Sequence, residues 1–496
     1  MKQTVERTKL GTGALVWAGF DGAEAPGEIL DAVRAGRIGG VELFAVRGNI
    51  RSKDQVRAMM RELQAAARAG GLPPVPAAVD QEGGQVVRVA YRAVFPSAMA
   101  IAATGDPSYA ERAGRLVGEG LRADGITVNN APVCDVNTEP RNPVIGSRSF
   151  GDDPRKVAAF AAAWVRGSEG AGVATTPKHF PGHGDAPLDS HLKWVDITAD
   201  RATLEHRDLP PFQAAFDAGA TMVMTAHVKY TAIDPDAPAT LSRPILTDLL
   251  RAKMRFGGVC ITDSLDMSGI NVDSPEHVVG RAIDAGVDAV MVTSHVDRQL
   301  AAAEWITKGA SQDRVVEAIG RASRFRTRFG IDVPDNDIDD APARALAAEI
   351  AARSITLVGP PLPKLTGDVR VTSFEPSRVS QAEELSDPAG TLERALRKRF
   401  GDRLRFARRG QMPEGSGPVV VCTFNAFFDA EQGRALHTLL GNDGILCAMR
   451  SPYDATLANG RPALLSYCDV PVSLEALAAV LAGEQKPTGQ LPVRLP

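Results

Sequence analysis

The sequence predicts an α/β protein built from a (β/α)8, TIM-like barrel followed by a smaller αβα sandwich domain. The chain has 496 residues, more than one compact domain usually holds. Over roughly the first 330 residues, short apolar segments alternate eight times with segments of helical periodicity, as this barrel requires. An open doubly wound sheet is the alternative, but the glycine-rich phosphate loop typical of that fold is missing from the sequence.

The predicted barrel strands are apolar along most of their length. The segments between them have helical periodicity; one carries Val56, Met59, Met60 and Leu63 on a single helix face. Apolar strands separated by helices predict a parallel sheet that is covered on both faces. The predicted strands lie in Gly13–Phe20, Gly39–Ala45, Val75–Asp80, Ile126–Val133, Gly172–Phe180, Gly219–His227, Gly257–Asp263 and Gly286–Ser294.

A linker separates the barrel from the second domain. The segment Ile331–Asp340 is acidic, contains a proline and has no periodicity. We therefore expect the catalytic barrel at 1–330, a linker at 331–345 and the sandwich domain at 346–496. The predicted strands of the second domain are ITLVG, VRVTSF, RLRFARR, PVVVCTF, GILCAMR and ALLSYC.

Composition excludes several classes of protein. Hydrophobic residues make up 44% and charged residues 23%, so neither a disordered chain nor a disulfide-stapled miniprotein is expected. The net charge of -4 predicts no nucleic-acid partner, and no apolar stretch is long enough to predict a membrane partner. The five cysteines are widely spaced without a C-x-x-C pair, and the N-terminus does not resemble a signal peptide. We expect a soluble, cytoplasmic protein.

Polar side chains gather where the predicted strands end. In barrels of this type the chemistry lies at the carboxyl ends of the strands and in the loops that follow them. We therefore take these strand-end residues as candidates for the functional site. They are Asp80, Asn129, Asn130, Lys178, His179, His227 and Asp263.

The loop Thr175–Trp194 is the most informative segment. It contains one lysine and three of the eight histidines, and its glycines and prolines exclude a regular helix. His179, His183 and His191 lack helical spacing and a carboxylate pair, so we predict no metal here. Asp189 and His191 are two residues apart, which lets the carboxylate orient the imidazole for proton transfer. The alternative is a surface loop with solvated histidines.

For the other candidate site residues, sequence spacing alone does not decide between a functional and a structural role. Asp263 suits a nucleophile or an electrostatic stabiliser, but equally a helix N-cap. Asp80 and Arg88 suit the vicinal hydroxyls of a sugar, but equally an internal ion pair. Arg148 is a candidate ligand contact in a long proline-containing loop, where Asp135 fits a turn cap.

Taken together, these segments resemble glycoside hydrolase family 3, in its β-N-acetylglucosaminidase branch. The resemblance is carried, in order, by DQEGGQVVR, APVCDVNTEPRNPVIGSRSFG, KHFPGHGDAPLDSH, MVMTAH and ITDSLDM. KHFPGHG followed by DSH is the most specific of these. The resemblance implies a retaining, exo-acting enzyme that removes terminal β-linked N-acetylglucosamine without a cofactor.

The resemblance also assigns roles to single residues. Asp263 matches the family nucleophile, His191 the acid/base of this branch and Asp189 its partner. The chemistry agrees, because an imidazole that titrates near neutrality can protonate a leaving oxygen and later deprotonate water. The residues that match the sugar pocket, or lie in a matching stretch, are Asp80, Arg88, Arg148, Lys178, His179 and His227.

The expected substrate is an oligosaccharide with a terminal β-linked N-acetylglucosamine. Cytoplasmic placement and the resemblance suggest peptidoglycan-derived muropeptides, and chitin oligosaccharides or a glycosylated small molecule are the alternatives. Phosphate is an alternative acceptor, since an imidazole acid/base does not repel it as a carboxylate would. The enzyme would then be a phosphorylase that releases N-acetylglucosamine 1-phosphate. A non-catalytic sugar-binding barrel is the alternative from another class.

Overall fold

A computed structural model describes residues 10–186, 195–267, 270, 273–376 and 387–496. Eight parallel strands form the first sheet, in the order β5-β4-β3-β2-β1-β8-β7-β6. A parallel bridge between Phe180 and Thr225 brings the two outer edges together, so the sheet is a nearly closed barrel as predicted. The strands are β1 Val16–Ala18, β2 Gly40–Glu42, β3 Ala77–Val79, β4 Val128–Asn129, β5 Ala174–Thr175, β6 Met222–Thr225, β7 Val259–Ser264 and β8 Ala289–Val292.

The interior of the barrel is filled by strand side chains. Trp17 on β1 packs with small and sulfur-containing residues of the other strands, and Phe325 and Phe329 join this cluster from the helix at 312–329. Gly40 on β2 leaves room for the indole, because a Cβ there would lie 2.4 Å from the Trp17 ring. The barrel is therefore a packed core, and its ligand-binding space must lie at one end.

Helices surround the barrel and bury their apolar faces against it. The main helices are Gly27–Arg34, Lys53–Ala69, Ala98–Ala103, Ser108–Ala123, Pro154–Gly170, Leu209–Asp217, Pro275–Ala285, Val296–Gly309 and Gln312–Phe329. Pro244–Lys253 is π-helical, and two short strand pairs that the sequence did not predict lie near the strand ends. These pairs are Gln81–Gly83 with Val86–Val87, and Asp196–Ile197 with Lys229–Tyr230. No helix in the described ranges is long and apolar enough to cross a membrane.

The second domain is a six-stranded sheet in the order β9-β14-β13-β12-β10-β11. Only the pairing of β9 with β14 is antiparallel. Its strands are β9 Thr356–Val358, β10 Val369–Ser373, β11 Leu404–Arg408, β12 Val419–Thr423, β13 Ile445–Ala448 and β14 Ala463–Leu465. Its helices are Ala341–Ser354, Pro388–Phe400, Ala430–Leu440 and Pro471–Leu481. The predicted second α/β domain is confirmed.

The second domain supports a loop at the mouth of the barrel. Asn137 in that loop donates a 2.9 Å hydrogen bond from its amide to the hydroxyl of Tyr453. The guanidinium of Arg141 lies 5.8 Å from the centre of the Phe427 ring. The segment that leads to Arg148 therefore rests on the second domain.

Candidate active site

A cavity of about 420 Å³ opens at the carboxyl ends of the barrel strands. Its wall combines side chains from the ends of β2, β3, β5, β7 and β8 with side chains of the loops that follow. The structure thus brings together six residues that are far apart in the sequence. Those six sequence-predicted residues are Asp80, Arg88, Arg148, Lys178, His179 and Asp263.

A network of paired charges forms one side of the cavity. The ammonium of Lys178 donates to Asp80 at 2.7 Å and lies 2.6 Å from a carboxylate oxygen of Glu82. The guanidinium of Arg148 binds both oxygens of Glu82 at 2.8 Å. Arg88 lies 3.6 Å from Asp80 on its other side. Each carboxylate therefore has two cationic neighbours.

These charges keep the network ionised. Burial alone would raise the pKa of Glu82, but Arg148 and Lys178 outweigh it and hold that pKa well below its ordinary value. Burial would likewise raise the pKa of Asp80, but Lys178 and Arg88 lower it, and the result is a pKa below the ordinary value. Burial would lower the pKa of Lys178, and the two carboxylates raise it instead.

The members of this network differ in their access to a ligand. The side chain of Asp80 is 19% exposed, whereas those of Lys178 and Glu82 are 3% and 4% exposed. Asp80 can therefore accept hydrogen bonds from ligand hydroxyls, while Glu82 holds Lys178 and Arg148 in place. Sequence reasoning did not single out Glu82, although it stands two residues after Asp80 in the same motif.

Asp135 organises the histidine-containing loop. Its carboxylate accepts from the backbone N–H groups of His179 and His183 at 3.1 and 2.7 Å. Its second oxygen lies 2.8 Å from Nδ1 of His179. The expectation that Asp135 only caps a turn is wrong, because this buried carboxylate also orients the His179 ring. With Nδ1–H donating to Asp135, the other ring nitrogen of a neutral His179 is an acceptor.

Asp263 lies at the end of β7, where burial gives way to partial exposure. One of its carboxylate oxygens accepts from the N–H of Ser264 at 2.7 Å. The N-cap of the helix at 275–285 is Ser274, so Asp263 does not cap that helix. The carboxylate of Asp266 accepts from the N–H groups of Thr293 and Ser294 and ties this turn to the end of β8.

His227 lies behind the cavity wall rather than in it. Its Nδ1 is 2.7 Å from the hydroxyl of Thr240, and its Nε2 is 3.0 Å from the carbonyl oxygen of Ser264. Its ring is buried. His227 thus connects the end of β6 to the strand end that carries Asp263, instead of lining the cavity as predicted for a substrate contact.

The predicted proton-transfer pair, Asp189 and His191, lies outside the described residues. The chain is described up to Ala186, where Asp185 accepts a 2.9 Å hydrogen bond from Arg207. Gly184 is required there, because a Cβ would lie 1.8 Å from the carbonyl oxygen of Val136. Across the described ranges, no three histidine, cysteine or carboxylate side chains are placed to hold a metal ion.

Two further residues at this end of the barrel were missed at the sequence level, one in the cavity wall and one behind it. Arg47 follows β2, donates to the carbonyl oxygen of Thr293 and lies 5.0 Å from the centre of the Phe44 ring. Glu42 is fully buried at the end of β2, beneath Asp80. The sequence does contain an indication of Glu42, because it is the one charged residue in the apolar segment Gly39–Ala45.

Comparisons with known proteins identify the relatives of this chain. Residues 9–324 match the family model of the glycosyl hydrolase family 3 N terminal domain. Beta-hexosaminidase A of Pseudoalteromonas piscicida is 33% identical over 370 residues, which are 67% of this chain and 61% of that protein. This chain thus spans less than two thirds of that relative's length. The beta-hexosaminidase of Xanthomonas euvesicatoria pv. vesicatoria (strain 85-10) is 38% identical over 55% of this chain and 82% of its own length.

A solved structure matches the whole chain. The glycoside hydrolase family 3 beta-N-acetylglucosaminidase from Paenibacillus sp. str. FPU-7 superposes with a TM-score of 0.88 at 31% identity, covering 100% of this chain and 99% of that one. The beta-N-acetylhexosaminidase from Beutenbergia cavernae DSM 12333 gives a TM-score of 0.58 at 33% identity, over 64% of this chain and 97% of its own. The chain belongs to glycosyl hydrolase family 3.

Proposed function

We propose that the chain is a retaining exo-β-N-acetylglucosaminidase with Asp263 as its nucleophile. The observation that carries this proposal is the partly exposed carboxylate of Asp263 in the same cavity as the Asp80–Lys178 pair. A retaining glycosidase needs one carboxylate to attack the anomeric carbon and further polar groups to hold the sugar. The relatives named beta-hexosaminidase and the neighbour named beta-N-acetylglucosaminidase support this choice of sugar.

The paired charges would bind the sugar hydroxyls. Asp80 accepts from hydroxyl groups, and the cationic side chains donate to them. Because Glu82 and Asp135 already hold Lys178, Arg148 and His179, these groups need little reorganisation when the sugar enters. Binding energy from the distal hydroxyls is then available to position the anomeric carbon next to Asp263.

For the acid/base we propose His191, oriented by Asp189. This part of the proposal is supported by the sequence alone, through the two-residue spacing of the pair and the match to the family branch. The imidazole protonates the leaving oxygen while the Asp263 ester forms, then accepts a proton from the attacking water. General acid–base catalysis of this kind contributes roughly 10²–10⁴-fold in rate.

Turnover of nitrophenyl β-N-acetylglucosaminide tests the nucleophile. We expect Asp263→Ala to abolish turnover, because no covalent intermediate can form without the carboxylate. Asp248→Asn is the matched control, since this exposed carboxyl lies on the segment before β7, and it should retain wild-type turnover. For His191→Ala we expect a large loss on poor leaving groups and a smaller loss on activated ones. Near-normal turnover by Asp263→Ala contradicts the proposal.

The substrate and the acceptor are tested in the same series. We propose peptidoglycan-derived muropeptides with a terminal β-linked N-acetylglucosamine as substrates, with water as the acceptor. Product analysis compares these with chitin oligosaccharides, each with and without phosphate. Release of free N-acetylglucosamine at a rate independent of phosphate supports hydrolysis. Release of N-acetylglucosamine 1-phosphate would make the enzyme a phosphorylase instead.

A further inference from the structure

Glu42 is a buried carboxyl group beneath the candidate sugar site. It ends β2, pairs in register with Ala78 on β3, and is 0% exposed to solvent. Both of its carboxyl oxygens lie within 3.1 Å of the amide nitrogen of Asn130, which follows β4. Unlike Asp80 and Glu82, it has no cation within 4 Å among the described residues. Its only close polar partner in those ranges is thus a neutral amide.

The charges around Glu42 come from the neighbouring elements. Asp80 faces it from the end of β3, Lys178 from the segment after β5 and Arg88 from the hairpin after β3. β1, the other strand beside β2, contributes no titratable side chain. Together with Glu82 behind it, the described cavity lining holds equal numbers of cationic and carboxylate side chains, namely Arg47, Arg88, Arg148 and Lys178 against Asp80, Glu82, Asp263 and Asp266. An ionised Glu42 would add a fifth negative charge, with no cation within 4 Å of it among the described residues.

We propose that Glu42 is a positioning residue that controls how Asp80 and Lys178 hold the sugar. This inference rests on the proposed function, because its readout is sugar binding and turnover. While Glu42 is neutral, Lys178 is shared by Asp80 and Glu82 alone. Once Glu42 ionises, it repels Asp80 and attracts Lys178, so the geometry that binds the hydroxyl groups is lost.

The surroundings of Glu42 favour its neutral form. Burial raises the pKa of Glu42, and the charge of Asp80 raises it further. The Asn130 hydrogen bond, Lys178 and Arg88 act in the opposite direction, and the result is a pKa well above the ordinary value. The carbonyl oxygen of the Asn130 side chain is buried without a hydrogen-bond partner in the described structure. Rotation of this amide by half a turn would let that oxygen accept from a protonated Glu42.

The proposal predicts a specific change in the pH dependence of the enzyme. In the wild type, kcat/KM should fall as pH rises through the pKa of Glu42. Glu42→Gln is neutral at every pH and keeps an amide for Asn130, so its kcat/KM near pH 6 should stay within about threefold of wild type. The alkaline limb of its kcat/KM profile should shift to higher pH by at least about one unit. At a given pH on that limb this is about a tenfold gain in kcat/KM.

Two variants separate this role from a structural one. Glu42→Met is also neutral but cannot hydrogen-bond to Asn130, and it should show the same upward shift of the alkaline limb. Glu169→Gln is the matched control. Glu169 is a largely buried carboxyl near the amino ends of the strands that accepts four hydrogen bonds on one oxygen, which Gln retains. Its profile should match that of wild type. Thermal unfolding checks that each variant is folded.

The outcomes are distinguishable from failure of the proposed function. A Glu42→Gln profile that is parallel to wild type, or uniformly lower at all pH values, overturns the proposal. If the wild type does not hydrolyse the substrate, the proposed function fails, and the same pH series is run on calorimetric binding of N-acetylglucosamine. Wild-type affinity that falls at high pH while that of Glu42→Gln persists then supports the role of Glu42. Equal pH dependence, or no binding by either protein, overturns it.

Discussion

At the scale of single residues, buried acids set the geometry of this site. Asp135 is fully buried and accepts hydrogen bonds from two backbone N–H groups and from the ring of His179. Its two carboxyl oxygens can accept at all three of these contacts. It thereby fixes both the backbone path at His179 and His183 and the tautomer of the His179 ring.

We predict that Asp135→Asn lowers kcat/KM for nitrophenyl β-N-acetylglucosaminide by about 10- to 100-fold, the loss of one charge-assisted hydrogen bond. The Asn amide nitrogen would donate to Nδ1 of His179 and so turn the other ring nitrogen from an acceptor into a donor. Asp217→Asn, a change at an exposed carboxyl, is the control. Wild-type kinetics in a normally folded Asp135→Asn variant would contradict this role.

The sequence predicts the residues that line the cavity better than the buried carboxyls behind them. Asp80, Lys178 and Asp263 end strands, and barrel topology brings all strand ends to one face, so a one-dimensional pattern is enough to find them. Asp135 and Glu42 act through partners 44 and 88 residues away. Their role depends on which loops meet in space, and no spacing rule reports that.

At the scale of elements, the short hairpin after β3 joins the cavity to the second domain. It carries Glu82, and its turn packs against the segment before the helix at 98–103. Ser97 in that segment donates from its hydroxyl to the carbonyl oxygen of Tyr467 in the second domain. Gly84 has a φ of +60°, and a Cβ there would lie 2.6 Å from the Ser97 Cβ.

We therefore predict that Gly84→Ala destabilises the chain by about 1–3 kcal/mol and raises KM for the aryl glycoside, because it displaces Glu82 from Lys178 and Arg148. Gly219→Ala is the matched control. Gly219 also has a positive φ, +101°, but nothing lies within 4 Å of its Cβ position, and it precedes β6 at the opposite end of the barrel. It should lose roughly 1 kcal/mol from backbone strain and keep the wild-type KM. Urea unfolding and steady-state kinetics measure both. An unchanged KM in Gly84→Ala would contradict the coupling.

The strands themselves were predictable, and the irregular elements were not. Each predicted strand segment, in both domains, contains the observed strand, except at β7. There the observed strand extends one residue beyond the predicted segment. Buried parallel strands leave a continuous apolar signal in the sequence. The hairpin at 81–87 has none, since it is built around Gln81, Glu82 and two glycines whose conformation is set by the segment packed against them.

At the scale of the whole molecule, stability depends on buried carboxyls with opposite pH behaviour. Glu82 in the barrel has a lowered pKa, so its stabilising contribution is lost as pH falls. Asp454 in the second domain is fully buried, and burial raises its pKa to about 6. Its carboxylate accepts from the hydroxyl of Thr423 and from the N–H groups of Ala426 and Phe427. Phe427 is also the residue whose ring contacts Arg141 in the loop at the mouth of the barrel.

Because the pKa of Asp454 is raised in the folded chain, we predict that its contribution to the free energy of unfolding decreases as pH rises. The folded chain binds the Asp454 proton up to about pH 6, whereas an unfolded Asp releases it near 3.8. Its contribution to stability is therefore complete below about pH 4 and is lost as pH rises through 6, by up to about 3 kcal/mol. Urea unfolding of wild type and Asp454→Asn between pH 4 and 8 measures this. The stability of wild type relative to the variant should decline across that interval and level off above about pH 7. A difference that stays constant or increases with pH would show that Asp454 is ionised in the folded protein throughout.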